Sequence, residues 1–397
     1  MTDISNKKRV SEIERRKSGV PIPICVGVLC GIVCHRGHRN INGPIFSEHY
    51  EGVQSFPRTA WILSECLGAG YLLSSVGGFL SDRYGEITII TASFVIVTVA
   101  VGLISVTPTY NLLLILFLLG GIGSAFGEAA MNPLIAKLFP NRSGFALNFL
   151  HVFYSFGAFI GPILAVVVIS WYGSWRLSYL TMAILFGPLI LVSFLVAHKN
   201  QKGETRNDGS DEYVGVKELF RRGRVLMIVG FFYVGTEMGT NAWLPTFLVL
   251  ERGFSIGLAG LSLGLFWGTM AVGRLILGSL TDRLRFRRMI LLSSILSSVL
   301  ILIGVTCESQ FWIVVLWSLS GFVMGPLLPT VFAWSSRLFT SRSGFAIGVI
   351  YSLGFIGGVF SPWLLGALAD LFSLNLAMIY LAFSTSAISV SMLMANE

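Results

Sequence analysis

The sequence predicts an all-α membrane protein whose twelve transmembrane helices form two parallel six-helix repeats. Three observations carry this expectation: a charge-poor apolar composition, a succession of apolar runs long enough to span a bilayer, and a self-similarity at a displacement of 200 residues. The 397 residues are 54% hydrophobic and only 12% charged, with a mean hydropathy of +0.76. Soluble globular chains carry roughly 25% charged residues, so water is not the solvent for most of this surface. The 44 glycines suit membrane helices that approach one another closely through small residues.

A spanning helix needs about 20 mainly apolar residues. Clear candidates run Arg58–Leu80, Ile87–Thr107, Asn111–Leu138, Ser143–Ile169 and Trp175–Ala197, then Arg224–Leu250, Gly257–Leu280, Met289–Thr306, Phe311–Leu338, Ser343–Ala369 and Ser373–Met394. A twelfth, Val20 to Phe46, is atypical. Charged stretches of any length occur only before it and around residues 198–224, the latter with Lys199, Lys202, Arg206, Lys217, Arg221, Arg222 and Arg224. The expected organisation is an N-terminal cytoplasmic segment (1–19), a first bundle (20–197), a cytoplasmic linker (198–223) and a second bundle (224–397). With the N-terminus inside and every span crossing once, all of the 28 Lys and Arg fall on inside segments except Arg36, Arg39, Arg58, Arg176, Arg252 and Arg274. Basic residues favour the cytoplasmic face, so both termini are expected there, in a multi-pass protein of the cell membrane.

The net charge of +8 does not point to nucleic acid, because the basic residues sit in short blocks between apolar runs rather than on a continuous face. Cys25, Cys30, Cys34, Cys66 and Cys307 all lie in or beside apolar stretches and read as buried thiols, with no disulfide framework. No small-residue cleavage site accompanies the first apolar run, so no cleaved signal peptide is expected.

The repeat is the strongest signal. Residues 138–146, LFPNRSGFA, reappear at 338–346 as LFTSRSGFA, and Gly157 and Pro162 fall over Gly357 and Pro362. The same displacement superposes Gly78, Asp82 and Arg83 on Gly278, Asp282 and Arg283. Because six is even, both copies keep one orientation. The G-x-x-x-D-R pattern between the second and third spans, echoed between the eighth and ninth, resembles the signature loop of the major facilitator superfamily. The resemblance extends over the chain apart from the first span. It implies two six-helix bundles around a central cavity that opens to alternate sides. Where the family loop continues to a basic pair, Glu86 follows Gly85 here, while the second copy carries Arg285, Arg287 and Arg288.

Gly127-Glu128-Ala-Ala-Met-Asn132-Pro133, Leu147-Asn148-Phe149-Leu150-His151, Phe232 to Gly239 and Trp243-Leu-Pro245 resemble the fourth, fifth and seventh spans of fucose-permease-like carriers. That branch includes proton-coupled sugar symporters. The resemblance implies a secondary transporter of a small polar solute, such as a sugar, coupled to protons and working as a monomer. It implies no enzyme and no cofactor, and no metal triad, nucleophile elbow or phosphate loop appears.

The residues themselves lead to similar positions. An ionisable group in a membrane span costs at least ~2.5 kcal/mol, so it is a functional candidate by default. Glu237, near the middle of the seventh span, and Glu128, in the inner half of the fourth, are the proton-coupling candidates. Asn132 lies one turn from Glu128 and Asn241 one turn from Glu237. Asn148 and His151 share a face of the fifth span. With Trp243, these four form the candidate solute-binding set, because amides beside aromatic faces suit polyhydroxylated solutes. Trp243 reads equally as an interfacial anchor, and His151 as a structural histidine bonded to a carbonyl. Asp82, Arg83, Asp282 and Arg283 are candidates for a gating latch or for plain topology signals, and Arg274 reads as a support for the gate. Gly157-x-x-x-Gly161-Pro162 reads as helix packing.

The first span carries His35-Arg36-Gly37-His38-Arg39, which the 200-residue shift places opposite mid-membrane positions. Three readings stay open: a locally altered segment, an anion site built by Arg36 and Arg39, or a span that ends early. Zinc binding by Cys30, Cys34, His35 and His38 fits no standard spacing. Two further functions are carried: an organic-anion carrier using Arg36 and Arg39, and a non-transporting membrane sensor, for which no signalling domain is seen.

Overall fold

The computed structural model describes Leu63 and residues 66–200 and 216–394. The first-span cluster from Cys25 to Arg39, Arg58 and most of the linker lie outside these residues. All regular structure among the described residues is helical. The helices are α1 (Ser74–Tyr84), α2 (Glu86–Val106), α3 (Tyr110–Leu138), α4 (Ser143–Tyr172), α5 (Trp175–Asn200), α6 (Val216–Arg252), α7 (Ile256–Ile276), α8 (Phe286–Thr306), α9 (Gln310–Met324), α10 (Leu327–Leu338), α11 (Ser343–Leu371) and α12 (Leu374–Met394). Cys66–Tyr71 is also helical and leads into α1 through a turn at Leu72 and Leu73. Eight helical segments among the described residues are long and apolar enough to cross a membrane.

The repeat holds at the level of single residues. Helix α2 starts and ends 200 positions before α8, and α3 covers the same register as α9 and α10 together. The helix that α3 keeps intact is interrupted in the second half at Gly325-Pro326, where the proline lacks the amide needed to continue it. A three-residue 3-10 turn precedes both α4 and α11, at Pro140–Arg142 and Thr340–Arg342. Gly85 turns the chain between α1 and α2 with φ +92° and ψ 142°. Its counterpart Arg285 takes φ +69° and ψ 141°, and among the described residues it is the one non-glycine residue with positive φ. Glycine enters that region freely, whereas an L side chain does so under strain.

In the second half, α6 packs along α11, and α8 lies against α9 and α12. Trp317, Phe247, Phe266 and Phe332 fill the interior with almost no exposure. The two halves meet along two seams, α1 against α11 and α4 against α7. Close approach is enforced at Gly78 and Gly344: a Cβ on Gly78 would lie 2.0 Å from the Gly344 carbonyl oxygen.

In the second copy of the glycine pattern, a Cβ on Gly357 would meet the Phe231 carbonyl oxygen at 2.1 Å, so α11 and α6 are in backbone contact there. The segment 200 residues before α6, which would face Gly157 and Gly161, lies outside the described residues. Two of the arginines off the basic face close helix ends. Arg176 donates to the Thr107 carbonyl at 2.8 Å, and Arg252 to the Val305 carbonyl and the Asn375 side chain. A cation near the last carbonyls of a helix complements its dipole.

Candidate functional site

At one end of the bundle, each half sends an aspartate to the other. The Asp82 carboxylate accepts the backbone N–H groups of Gly344 at 2.9 Å and Phe345 at 2.7 Å. Asp282 accepts those of Gly144 at 3.1 Å and Phe145 at 2.9 Å. Each acid thus caps the start of a long helix in the opposite half, where unsatisfied amides and the helix dipole both favour an anion. Arg83 and Arg283 stay exposed. The cations in the last turns of α3 and α10 differ in their partners. Arg337 donates to Asp282 at 3.2 Å, to Ser143 Oγ at 3.1 Å and to the Pro140 carbonyl, whereas Lys137 is ion-paired with Glu86.

Deeper between the halves lies a second polar group. Arg274 is buried to 1% exposure. It lies 3.7 Å from the Glu237 carboxylate. Its other N–H groups reach the Gly325 carbonyl, the Tyr233 hydroxyl, and the His151 carbonyl and Ser155 hydroxyl of α4. Tyr233 in turn donates to Glu237 at 3.3 Å. The guanidinium therefore ties α7 to α4 across the seam, inside the bundle and away from the Asp282 latch with which the sequence grouped it. A buried charge is tolerated only when paired and hydrogen-bonded, and here the guanidinium makes four hydrogen bonds beside the Glu237 carboxylate.

Glu128 has a different environment. The Tyr71 hydroxyl donates to it at 2.9 Å, the Tyr351 hydroxyl faces it, and among the described residues no cation lies within ion-pair distance of it. Asn132 donates to the Glu128 carbonyl at 2.7 Å. That leaves its amide oxygen to accept from His151 Nε2 at 3.0 Å, so the proton sits on Nε2. Asn241 accepts from the Trp267 indole at 3.3 Å, and the Trp267 ring centroid lies 6.2 Å from that of Tyr154, which also faces Arg274.

The geometry thus gathers Glu128, Asn132, His151, Asn241, Glu237 and Arg274 between the halves. Two other binding candidates lie elsewhere. The Asn148 amide turns back on Gly144 of its own helix, and its Cβ is where a Cβ on Gly278 would collide, at 2.5 Å. It belongs to the seam. The Trp243 indole donates to the Pro362 carbonyl at 3.0 Å and packs on Gly366, so α11 holds it. Sequence reasoning passed over Tyr71, Ser155, Tyr233, Trp267 and Tyr351. Tyr233 precedes Glu237 by one turn and Trp267 precedes Arg274 by two, so a search along each helix face from the ionisable residue would have found both.

The model of the Major Facilitator Superfamily matches residues 28–292 and 258–395. The chain belongs to the Major Facilitator Superfamily. As a superfamily member it is a membrane transporter and not an enzyme. The Escherichia coli (strain K12) fosmidomycin resistance protein is 23% identical over 314 residues, covering 78% of this chain and 76% of the relative. The Brucella abortus glucose/galactose transporter is 24% identical over 330 residues, with 78% of each chain covered. A crystal structure of the E. coli fucose:proton symporter FucP superposes with a TM-score of 0.74 at 17% identity, over 96% of this chain and 97% of that one. The last match establishes the superfamily fold, with its twelve helices in two bundles.

Proposed function

We propose that this transporter is a proton-coupled carrier of a neutral, polyhydroxylated solute such as a sugar. It resides in the cell membrane with both termini in the cytoplasm and works as a monomer by alternating access. The observation that carries this reading is a charge count. Among the described residues, the central group holds two carboxylates, Glu128 and Glu237, and one guanidinium, Arg274, which stands beside Glu237. One proton balances the group, and Glu128 is the carboxylate without a cationic partner. Closing the bundle over an uncompensated carboxylate carries a penalty of several kcal/mol. The reorienting step therefore favours the protonated carrier, which is the basis of coupling.

The solute would be held by Asn132, His151 and Asn241, with Trp267 and Tyr154 as apolar faces. Amides supply both donors and acceptors for hydroxyl groups. Arg274 already makes four hydrogen bonds and stands beside the Glu237 carboxylate, which disfavours it as the receptor of a solute anion. The likeness to a glucose/galactose transporter accords with this reading. The Asp82 and Asp282 latches shut the cytoplasmic end in this arrangement, so the central group would be reached from outside.

The test is thermal unfolding of the purified protein against a panel of neutral sugars and small organic anions at two pH values. Binding to the native state stabilises by an amount set by concentration over affinity. Stabilisation by one or more neutral sugars is expected. A response confined to anions, and lost in Arg36→Ala, would replace this reading with an anion carrier.

A further inference from the structure

The two latches share a backbone pattern but not a charge pattern. Asp282 is accompanied by Arg337, which also reaches Ser143 Oγ and the Pro140 carbonyl of the opposite half, stitching the two halves together beside the capped amides. Lys137 stands 200 positions earlier and is its counterpart, and its charge lies close enough to act on Asp82. It is nevertheless paired with Glu86, in the first turn of α2, and among the described residues no cation lies within ion-pair distance of the Asp82 carboxylate. A second, independent sign of the diverted lysine lies across the seam. The Ser143 hydroxyl accepts from Arg337, whereas its counterpart Ser343 has a buried hydroxyl with no partner among the described residues. The residue that diverts the lysine is also the one that departs from the superfamily loop, where a basic residue is usual.

We infer that Glu86 is a release element: by holding Lys137 it deprives the Asp82 latch of the cation that clamps the Asp282 latch. The α1–α11 seam is then the weaker of the two and parts first when the transporter changes state. Removing the Glu86 charge returns Lys137 to the neighbourhood of Asp82 and Ser343, and makes the two latches alike. An acceptor that gains a charged donor forms a stronger bond than a neutral pair does, so the difference falls on the amides that each aspartate caps.

Those amides are themselves the probe. Hydrogen–deuterium exchange, read by mass spectrometry on the full-length protein in nanodiscs, compares peptides containing Gly344 and Phe345 with those containing Gly144 and Phe145. In the unmodified chain the first pair should exchange several-fold faster. Glu86→Gln should slow the first pair toward the rate of the second and leave the second unchanged. Lys137→Ala should leave the first pair as it was, and should abolish the slowing when combined with Glu86→Gln. Arg337→Ala should speed the second pair several-fold. Equal protection of the two pairs in the unmodified chain would overturn the inference. So would Lys137→Ala speeding the first pair as much as Arg337→Ala speeds the second, or a Glu86→Gln variant with unaltered exchange.

Discussion

The two seams that join the halves occupy equivalent places in the repeat, yet they are built from different chemistry. Along α4 and α7 the contacts are ionic: Arg274 reaches the His151 carbonyl and Ser155, and Asp282 is clamped by Arg337. Along α1 and α11 they are neutral above the latch. Tyr71 stacks on Phe355 with ring centroids 4.2 Å apart, and Ser352 bonds the Leu72 carbonyl at 2.9 Å. Position 274 is an arginine in one seam, and its counterpart Ser74 in the other is a buried serine. The capping aspartates and close-packed glycines are common to both, because helix ends need partners in either copy. The charged central residues are not: Arg274 and Glu237 pair within the second half, and the counterpart of Arg274 is Ser74.

The largest expected effect comes from breaking the ionic seam at its centre. Arg274→Leu removes the partner of Glu237 and two capped carbonyls, and stripping one member of a buried pair costs about 3–5 kcal/mol. Denaturation in detergent should show a loss of that order, with part of it recovered in Arg274→Leu/Glu237→Leu. A loss below about 1 kcal/mol would mean that shape and not charge holds this seam. A smaller effect of opposite sign is expected where the repeat is strained. Arg285 adopts the backbone conformation that Gly85 adopts in the first copy. Arg285→Gly should therefore raise the unfolding temperature by relieving about 1 kcal/mol, and an unchanged or lowered temperature would show that the arginine's contacts outweigh the strain.

The fold was legible because the bilayer imposes lengths and the repeat doubles every boundary. The span Met289–Thr306 was read from apolarity, and the helix begins three residues earlier, at Phe286, in step with Glu86. The seventh span was read from Arg224, whereas α6 begins at Val216, because a helix continues through charged residues beyond the apolar stretch. Individual site residues were legible for a related reason. A carboxylate or an amide within an apolar run is expensive enough that its presence is a signal. Pairing between helices was not legible. Helical periodicity says which residues share a face, but not which face meets which. Nothing in the sequence shows that Arg274 stands beside Glu237, that Asn148 packs on Gly278 or that the Trp243 indole donates to the Pro362 carbonyl. Tyr71 and Tyr351 carry no such signal, since aromatic residues are ordinary in membrane spans.

In the proposed cycle, one proton on Glu128 balances a charge cluster that is buried when the bundle reorients. The direct measurement is transport in proteoliposomes, with solute chosen from the stabilisation panel, comparing uptake driven by an imposed pH gradient with exchange at equal pH. The account predicts that Glu128→Gln, a permanently neutral mimic of the protonated acid, abolishes gradient-driven accumulation and keeps solute exchange. Gradient-driven accumulation by Glu128→Gln at the level of the unmodified protein would contradict it.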